Sequence, residues 1–405
     1  MLLSNTINPA TLNWKARTYD PDASMDKAMR QTDWPALCQL ATNLRGVSCV
    51  PLDYATNGLN NMARLLQFKD GVLWVARVAM RRSAADTAKL RSEVDAMLWI
   101  RQQSSLPVPE IFAYEVDVDE HNAVGVPFVL MSFVPGNTAM DVGGGYETHH
   151  GIIPAAHRPR FYRAVAACHV QMTSLRLPKI GTIRRTPDGA FEAGPIPGIG
   201  GPFDTATAFF EAWADHAQFP RRPDEILDTM HGAPEAEQVL CAVDNFLSRF
   251  RTVAPRLVRR NQHSDRDRGP FPLCHPDFLH SNIIEGACTL PLELVRFPRF
   301  LDAMPRRFGR SDDYGADGKP HDEDERQRWC ERREYVQMVA ALEALERGPG
   351  VGAGRGDHTL SSCLADEHAQ DLSYAMGAFE GGKMGVYDQL LDGLEERLPL
   401  RGEPL

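Results

Sequence analysis

The residues best suited to chemistry in this sequence lie in one short stretch, "FPLCHPDFLHSNII". His275 and Asp277 are followed by Asn282, five positions after the aspartate, in a segment that is short and loop-like. This spacing suits phosphoryl transfer, because a carboxylate can orient the attacking hydroxyl group and an amide oxygen can bind a metal ion. The histidine would brace the loop by hydrogen bonding. An ordinary capped turn explains the pattern equally well, so the choice between a catalytic loop and a capped turn depends on the neighbouring elements.

Composition limits the class of protein. The chain has 405 residues, enough for two lobes, with ordinary hydrophobic and charged fractions of 43% and 24%. A net charge of −10 argues against a nucleic-acid-binding protein, which needs a concentrated basic face. The eight cysteines include no CxxC pair, so we expect neither a zinc site nor a disulfide framework. Without a secretory signal or an apolar run of roughly 20 residues, a cytoplasmic protein without membrane contact is expected.

Upstream of the loop, the pattern predicts a small sheet with one helix. The runs "MARLLQF" and "VLWVARVAM" flank Asp70-Gly71, which is typical of a β-hairpin. The segment "DTAKLRSEVDAMLWIRQQ" carries apolar residues at helical spacing, namely Leu90, Val94, Met97 and Leu98. The run "VPFVLMSFVPG" then predicts a buried strand that ends at Pro135-Gly136.

After Gly136 the sequence pattern is mainly helical. It predicts helices in "RFYRAVAACHVQMTSL", in "DTATAFFEAWADHA" with Asp204 as N-cap, in "PEAEQVLCAVDNFLSRF", and around 327–346 and 368–379. We therefore predict three regions. They are an N-terminal helical extension (1–50, with a helix at Trp34–Arg45), a β-rich N-lobe (51–136), and a helical C-lobe (137–405) that contains the catalytic loop 275–282.

Two charged residues upstream could complete a site for a nucleotide. Arg77 lies on the second strand of the hairpin and could contact phosphates, and Glu93 on the helix could pair with it. The turn at Thr56–Met62 could cover phosphates, although it has a single glycine. A surface arginine and an exposed helix carboxylate remain alternatives for Arg77 and Glu93.

Several segments together resemble one known family. The segments "NGLNNMARLLQFKDGVLWVARV", "LRSEVDAMLWI" with "PVPEIFAYE", "PFVLMSFVPG", "GPFDTATAFFEAW" and "FPLCHPDFLHSNII" are similar, in this order, to the aminoglycoside phosphotransferase and choline kinase-like family, particularly its fungal members. The resemblance runs from about Pro51 to about Leu391. It implies an α+β, protein-kinase-like fold of two lobes that uses ATP and magnesium to phosphorylate a hydroxyl group of a small molecule.

The resemblance also implies roles for individual residues. Asp277 corresponds to the catalytic base and Asn282 to a magnesium ligand. Arg77 stands at the position of the phosphate-contacting lysine, and Glu93 at that of its ion-pair partner. The backbone of the hinge segment, which comprises Ser132, Phe133 and Val134, would hold adenine.

One part of the family pattern is absent. Relatives continue from the asparagine through a β-hairpin to an Ile-Asp-Trp-Glu-like segment whose aspartate binds magnesium, whereas here Ile284 is followed directly by Glu285. About a dozen residues are missing, the length of two short strands and a turn. Glu285 matches the family's glutamate after that aspartate and does not replace it. One neutral amide is a poor magnesium site, so severe loss of phosphotransfer is expected.

Three hypotheses follow, in order of preference. The first is an active kinase whose written sequence lacks a segment of the natural protein. The second is a pseudokinase-like module that binds a nucleotide or small molecule without catalysis. The third is a helical scaffold without a ligand. The sequence does not identify the small-molecule substrate or the oligomeric state.

Overall fold

The structure is a computed structural model, and its chain divides into two units. It describes residues 24–58, 60–136, 153–231, 236–259, 266–275, 278, 287–305, 313–316, 319–347, 359–385 and 387–397. Described residues up to Pro154 belong to the first unit, and those from Ala155 onward to the second. The predicted boundary between 136 and 137 stays a prediction, because 137–152 lie outside the described residues.

The first unit is built on a five-stranded antiparallel sheet in the order β1-β2-β3-β5-β4. The strands are β1 (Cys49–Asn57), β2 (Asn61–Phe68), β3 (Leu73–Ala79), β4 (Ile111–Glu115) and β5 (Phe128–Ser132). The predicted hairpin at Asp70-Gly71 is confirmed: it joins β2 to β3, and Gly71 has φ +83°, which favours glycine. The predicted buried strand is β5.

Helix α3 (Ala84–Gln103) connects β3 to β4. It begins with a capping box in which the Ser83 hydroxyl accepts from the Asp86 amide (3.2 Å) and the Asp86 carboxylate accepts from the Ser83 amide (2.9 Å). Of the predicted stripe, Leu90, Val94 and Met97 are buried, and Leu98 is half-buried. The helix ends at Gln103, shortly before Pro107 and Pro109.

Two N-terminal helices pack on this sheet. They are α1 (Ser24–Gln31) and α2 (Trp34–Arg45), and α2 coincides with the predicted helix. Leu37 and Ala41 of α2 are fully buried and share a hydrophobic cluster with Leu66 of β2 and Leu130 of β5. The described part of the predicted N-terminal extension therefore shares the core of the first unit.

The second unit is mainly helical, as predicted. Its helices are α4 (Arg158–Ser174), α5 (Ala206–His216), α6 (Pro223–Thr229), α7 (Ala236–Arg259), α8 (Glu323–Arg347), α9 (Leu360–Ala365), α10 (Glu367–Glu380) and α11 (Tyr387–Arg397). An aromatic core joins α5, α7 and α10, with Trp213 4.8 Å from Phe250 and Phe246 4.9 Å from Phe379 between ring centroids. Among the described residues, no helix has the length and apolar character needed to cross a membrane.

The N-cap predicted for α5 is wrong. Thr205, not Asp204, caps the helix, because its hydroxyl accepts from the Ala208 amide at 3.1 Å. Asp204 is exposed and forms an ion pair with Lys179 at 3.1 Å. Its carboxylate therefore contacts Lys179 and does not cap the first turn of the helix.

The second unit also contains a sheet that the sequence patterns did not predict. Its strands are β6 (Arg176–Leu177), β7 (Gly181–Arg185), β8 (Phe191–Gly194), β9 (Phe271–Cys274) and β10 (Cys288–Thr289), in the order β6-β9-β10-β7-β8. Strand β9 leads directly into the predicted catalytic loop, and β10 follows it. The sheet thus holds the chain immediately before residue 275 and again at Cys288.

Candidate functional site

A buried ion pair lies at the centre of the first unit. Arg77 lies on β3, opposite Ala63 of β2 and Val129 of β5, and Glu93 lies on α3. The Arg77 terminal nitrogen is 3.0 Å from Glu93 Oε2, and the two side chains are only 11% and 3% exposed. The structure therefore brings together the two residues that the sequence predicted to pair. The alternative interpretations from the sequence, a surface arginine and an exposed helix carboxylate, therefore do not hold for these two residues.

A second cation approaches the same carboxylate. Lys89 lies one helical turn before Glu93, with Nζ 3.9 Å from Oε1. Sequence reasoning missed it, although the i,i+4 spacing of a lysine and a glutamate on one helix was visible. Each Glu93 oxygen thus faces one basic residue, which fixes the carboxylate between β3 and α3.

Residues of the β1–β2 turn line a small pocket beside this pair. Gly58 donates its amide to the Asn61 carbonyl (2.9 Å), and Met80 donates to the Asn60 carbonyl (2.9 Å), which ties the turn to the end of β3. The described residues of the pocket are Asn60, Asn61, Ala79, Arg81, Asp86, Lys89, Leu90 and Glu93. Amide, basic and acidic side chains therefore line this pocket together with residues of the turn that the sequence suggested as a phosphate cover; that role stays a prediction.

The hinge segment begins as part of the sheet. The Ser132 amide donates to the Glu110 carbonyl, and the Ser132 hydroxyl accepts from the Glu110 amide, both at 2.8 Å. Phe133 is buried in a cluster with Leu65 and Leu73. Val134 is 44% exposed. The Ser132 amide is thus occupied within the sheet, and the adenine-binding role of this segment stays a prediction.

The catalytic loop is described only in part. His275 follows β9 directly and is buried, and its ring centroid lies 6.1 Å from that of Phe278. Phe278 also lies 5.2 Å from the ring of His169 on α4. Asp277 and Asn282, predicted as catalytic base and metal ligand, lie outside the described residues. Within the described ranges no group of three metal-binding side chains occurs.

Comparison with protein families identifies the chain. A family model described as "Phosphotransferase enzyme family" (APH) matches residues 57–286, which is more than half of the sequence. The chain belongs to this family. The matched range begins at the last residue of β1 and contains Arg77, Glu93 and the motif from His275 to Asn282. The predicted family and the α+β, protein-kinase-like fold class are confirmed.

A comparison with solved structures matches several phosphotransferases over most of the chain. A candidate fructosamine-3-kinase from Thermobifida fusca is 12% identical, with 89% of this chain and 97% of that chain covered and a TM-score of 0.42. A macrolide 2'-phosphotransferase type I is 14% identical, with 91% and 97% covered and a TM-score of 0.36. A macrolide 2'-phosphotransferase from Brachybacterium faecium is 13% identical, with 90% and 99% covered and a TM-score of 0.35. A comparison with curated proteins gave no match.

Proposed function

We propose that this protein is a small-molecule kinase that binds ATP and directs its terminal phosphoryl group to a hydroxyl group. The main support is the buried Arg77–Glu93 pair, which holds a cation in one position on an inner strand. A phosphate-binding group that is fixed before the nucleotide arrives loses little further freedom on binding. Membership of the phosphotransferase family supports the same reaction class.

Each candidate residue has a separate task in this proposal. Arg77 contacts the phosphates of the nucleotide, and Glu93 positions its guanidinium. The backbone of 132–134 holds the adenine ring. Asp277 accepts a hydrogen bond from the acceptor hydroxyl and orients it toward the phosphoryl group. The identity of the small-molecule acceptor is not part of the proposal.

The magnesium ion expected for such a reaction does not fit the residues present. Magnesium in phosphoryl-transfer sites is normally held by one or two carboxylates together with the phosphates. Here Asn282 supplies a neutral amide oxygen, and Ile284 is followed by Glu285 without the aspartate that relatives carry. We therefore assign no step to the metal. The active kinase proposed above is the natural protein with the missing segment present, and a chain with this sequence as written should be severely impaired in phosphotransfer.

The missing aspartate also favours a second candidate function. A pseudokinase-like protein would retain nucleotide or small-molecule binding without transfer. In that case ATP binding should be weak and nearly insensitive to magnesium, since no charged metal ligand would couple magnesium binding to ATP binding. An active enzyme should instead bind ATP more tightly when magnesium is present.

Calorimetric titration with ATP, with and without magnesium, separates these candidates. Arg77→Met should weaken ATP binding about 10- to 100-fold, because a hydrogen bond to a charged group contributes about 1.5–3 kcal/mol. Arg77→Lys keeps the charge and should bind nearly as the parent does. Arg91→Met is the matched control, since Arg91 lies on α3 in an exposed pair with Asp117. Equal ATP affinity in all four proteins would refute the proposed phosphate contact.

The junction itself is tested on the natural protein and on an extended chain. Peptide mapping with trypsin should release 269–296 as one peptide if the written sequence is correct. A longer peptide containing an aspartate between Ile284 and Glu285 would support an active enzyme. Inserting a family-like hairpin with its aspartate at that point should restore magnesium-dependent ATP binding. A restored chain that remains insensitive to magnesium would contradict this account.

A further inference from the structure

The second unit contains a cavity of about 270 Å³ between its sheet and its helices. Its walls come from α4, the segment after β8, α5, β9, β10 and α10. The described residues of the cavity include His169, Phe209, Trp213, Arg296, Gly377 and Glu380. Of these, Gly377 and Glu380 are exposed, so the cavity opens beside α10.

Most of the wall is apolar and aromatic. Phe209, Trp213 and Met376 are buried in the same hydrophobic cluster and form part of it. A cavity of about 150 Å³ with such walls remains dry and holds one benzene molecule. The larger volume here therefore has room for a ring system with a short polar substituent.

One strong cation faces this apolar space. Arg296 donates from a terminal nitrogen to the Ser373 carbonyl at 2.7 Å. Its guanidinium lies against the bare backbone of Gly377, where an added Cβ would come within 3.1 Å of both terminal nitrogens. Within the described part of the chain, no carboxylate lies within 4 Å of this guanidinium; burial lowers the pKa of Arg296 despite the more distant Asp302. The described hydrogen bonds leave several of its donors available.

The nearby acidic groups offset this charge only in part: burial lowers the pKa of Arg296 overall, although Asp302 and Glu380 both raise it. Glu380 accepts a hydrogen bond from the Trp213 indole at 2.7 Å and is exposed, so water screens its charge. Burial lowers the pKa of His169 to about 3, which leaves its ring neutral at physiological pH. The interior of the cavity therefore combines an apolar wall with one positive end.

We propose that this cavity binds a small aromatic carboxylate, with the ring against Phe209 and Trp213 and the carboxylate on Arg296. A planar guanidinium suits a carboxylate because it can donate two parallel hydrogen bonds. The apolar wall supplies affinity for the ring, and the arginine supplies selectivity for the anion. The described residues of this site all belong to the second unit and include His275 of the predicted catalytic loop, but the proposal goes beyond the proposed ATP-dependent function. It does not depend on phosphotransfer.

Three probes with one ring system and different charges test the proposal. Calorimetry on the full chain would compare indole-3-acetate, the neutral indole-3-acetamide and the cationic tryptamine. The carboxylate should bind at least 10-fold more tightly than the amide, as expected for a charge-assisted hydrogen bond, and tryptamine should bind most weakly. Equal affinities, preferential binding of tryptamine, or no binding of any probe would overturn the proposal.

Two variants locate the selectivity at Arg296. Arg296→Met should remove the preference for the carboxylate. Gly377→Ala should displace the guanidinium by a few tenths of an ångström and reduce the preference, although alanine is favoured over glycine in a helix, so folding should be retained. Arg299→Met, at an exposed arginine of the same segment, is the matched control.

The outcomes of these variants are independent of the nucleotide site. An unchanged preference in both Arg296→Met and Gly377→Ala would overturn the assignment. A parallel ATP titration should give equal affinities in all variants, because the Arg77–Glu93 site belongs to the first unit. Failure of ATP binding in the parent protein would count against the proposed function and leave the carboxylate test intact.

Discussion

Removing the positive charge of Arg77 should destabilise the first unit far more than removing an exposed arginine. In Arg77→Met, Glu93 would remain buried at 3% exposure without its partner at 3.0 Å. Breaking a buried ion pair in this way costs about 3–5 kcal/mol. Lys89 lies 3.9 Å from the other Glu93 oxygen and partly compensates, so we expect about 3 kcal/mol. The double variant Arg77→Met/Glu93→Gln removes both charges and should recover much of this loss.

Hydrogen exchange measured by mass spectrometry suits this prediction, because the chain has two units and whole-protein unfolding need not be two-state. A loss of about 3 kcal/mol should accelerate exchange of protected amides in β3 and α3 about 100-fold. Peptides from α7 in the second unit provide an internal control. A loss below about 1 kcal/mol, the range of surface pairs, would refute the role of burial. A double variant as unstable as the single one would assign the loss to packing of the arginine side chain.

Two further predictions concern stability in the second unit. The pKa of His169 is lowered to about 3 by burial, so its contribution is present above about pH 6.5 and is lost as pH falls toward 3. Between pH 6.5 and 4.5 the parent should lose about 2 kcal/mol more than His169→Gln in urea unfolding, and equal slopes would contradict this. Gly181→Ala would place a Cβ 2.1 Å from the Gly194 carbonyl and should cost about 3 kcal/mol. Gly58→Ala is the control, because its added Cβ would meet no atom within 4 Å. A similar loss of stability in Gly58→Ala would contradict the steric explanation.

The elements with strong local signals were predictable from the sequence. The Asp70-Gly71 turn lies between two apolar runs, and the helix at Trp34–Arg45 was placed with its observed bounds. The N-cap of α5 was misplaced by one residue, because aspartate and threonine are both good caps and only the backbone decides between them. The local pattern thus predicted helix α5 but not the residue that caps it.

The second sheet escaped prediction because its strands are very short. β6 and β10 have two residues each, too few to show alternation of apolar and polar side chains. The β7–β8 hairpin did carry a usable signal, an Asp188-Gly189 turn, which sequence reasoning did not use. Pairing between strands distant in the chain leaves no local pattern.

The candidate sites also differ in how far they could be predicted from the sequence. Arg77 and Glu93 could be paired in advance because hairpin, helix and strand occur in a recognisable order. Lys89 was not predicted, although its i,i+4 spacing from Glu93 is visible in the sequence. The environment of Arg296 had no signal, because Ser373 and Gly377 lie more than one element away in the chain. Apolar walls assembled from six segments become visible only in three dimensions.

The pairing of strand β10 allows the loop before it to vary in length. It pairs with β9 on one side and β7 on the other, and the buried Thr289 hydroxyl accepts from the Gly181 amide (3.1 Å) and donates to the Lys179 carbonyl (2.8 Å). These contacts set the register of the sheet without using 275–287. Doubling the length of that connection would cost only about 0.6 kcal/mol in loop entropy. Short and long forms of this protein could therefore share one framework and unfold alike, while differing entirely in their capacity to hold a metal.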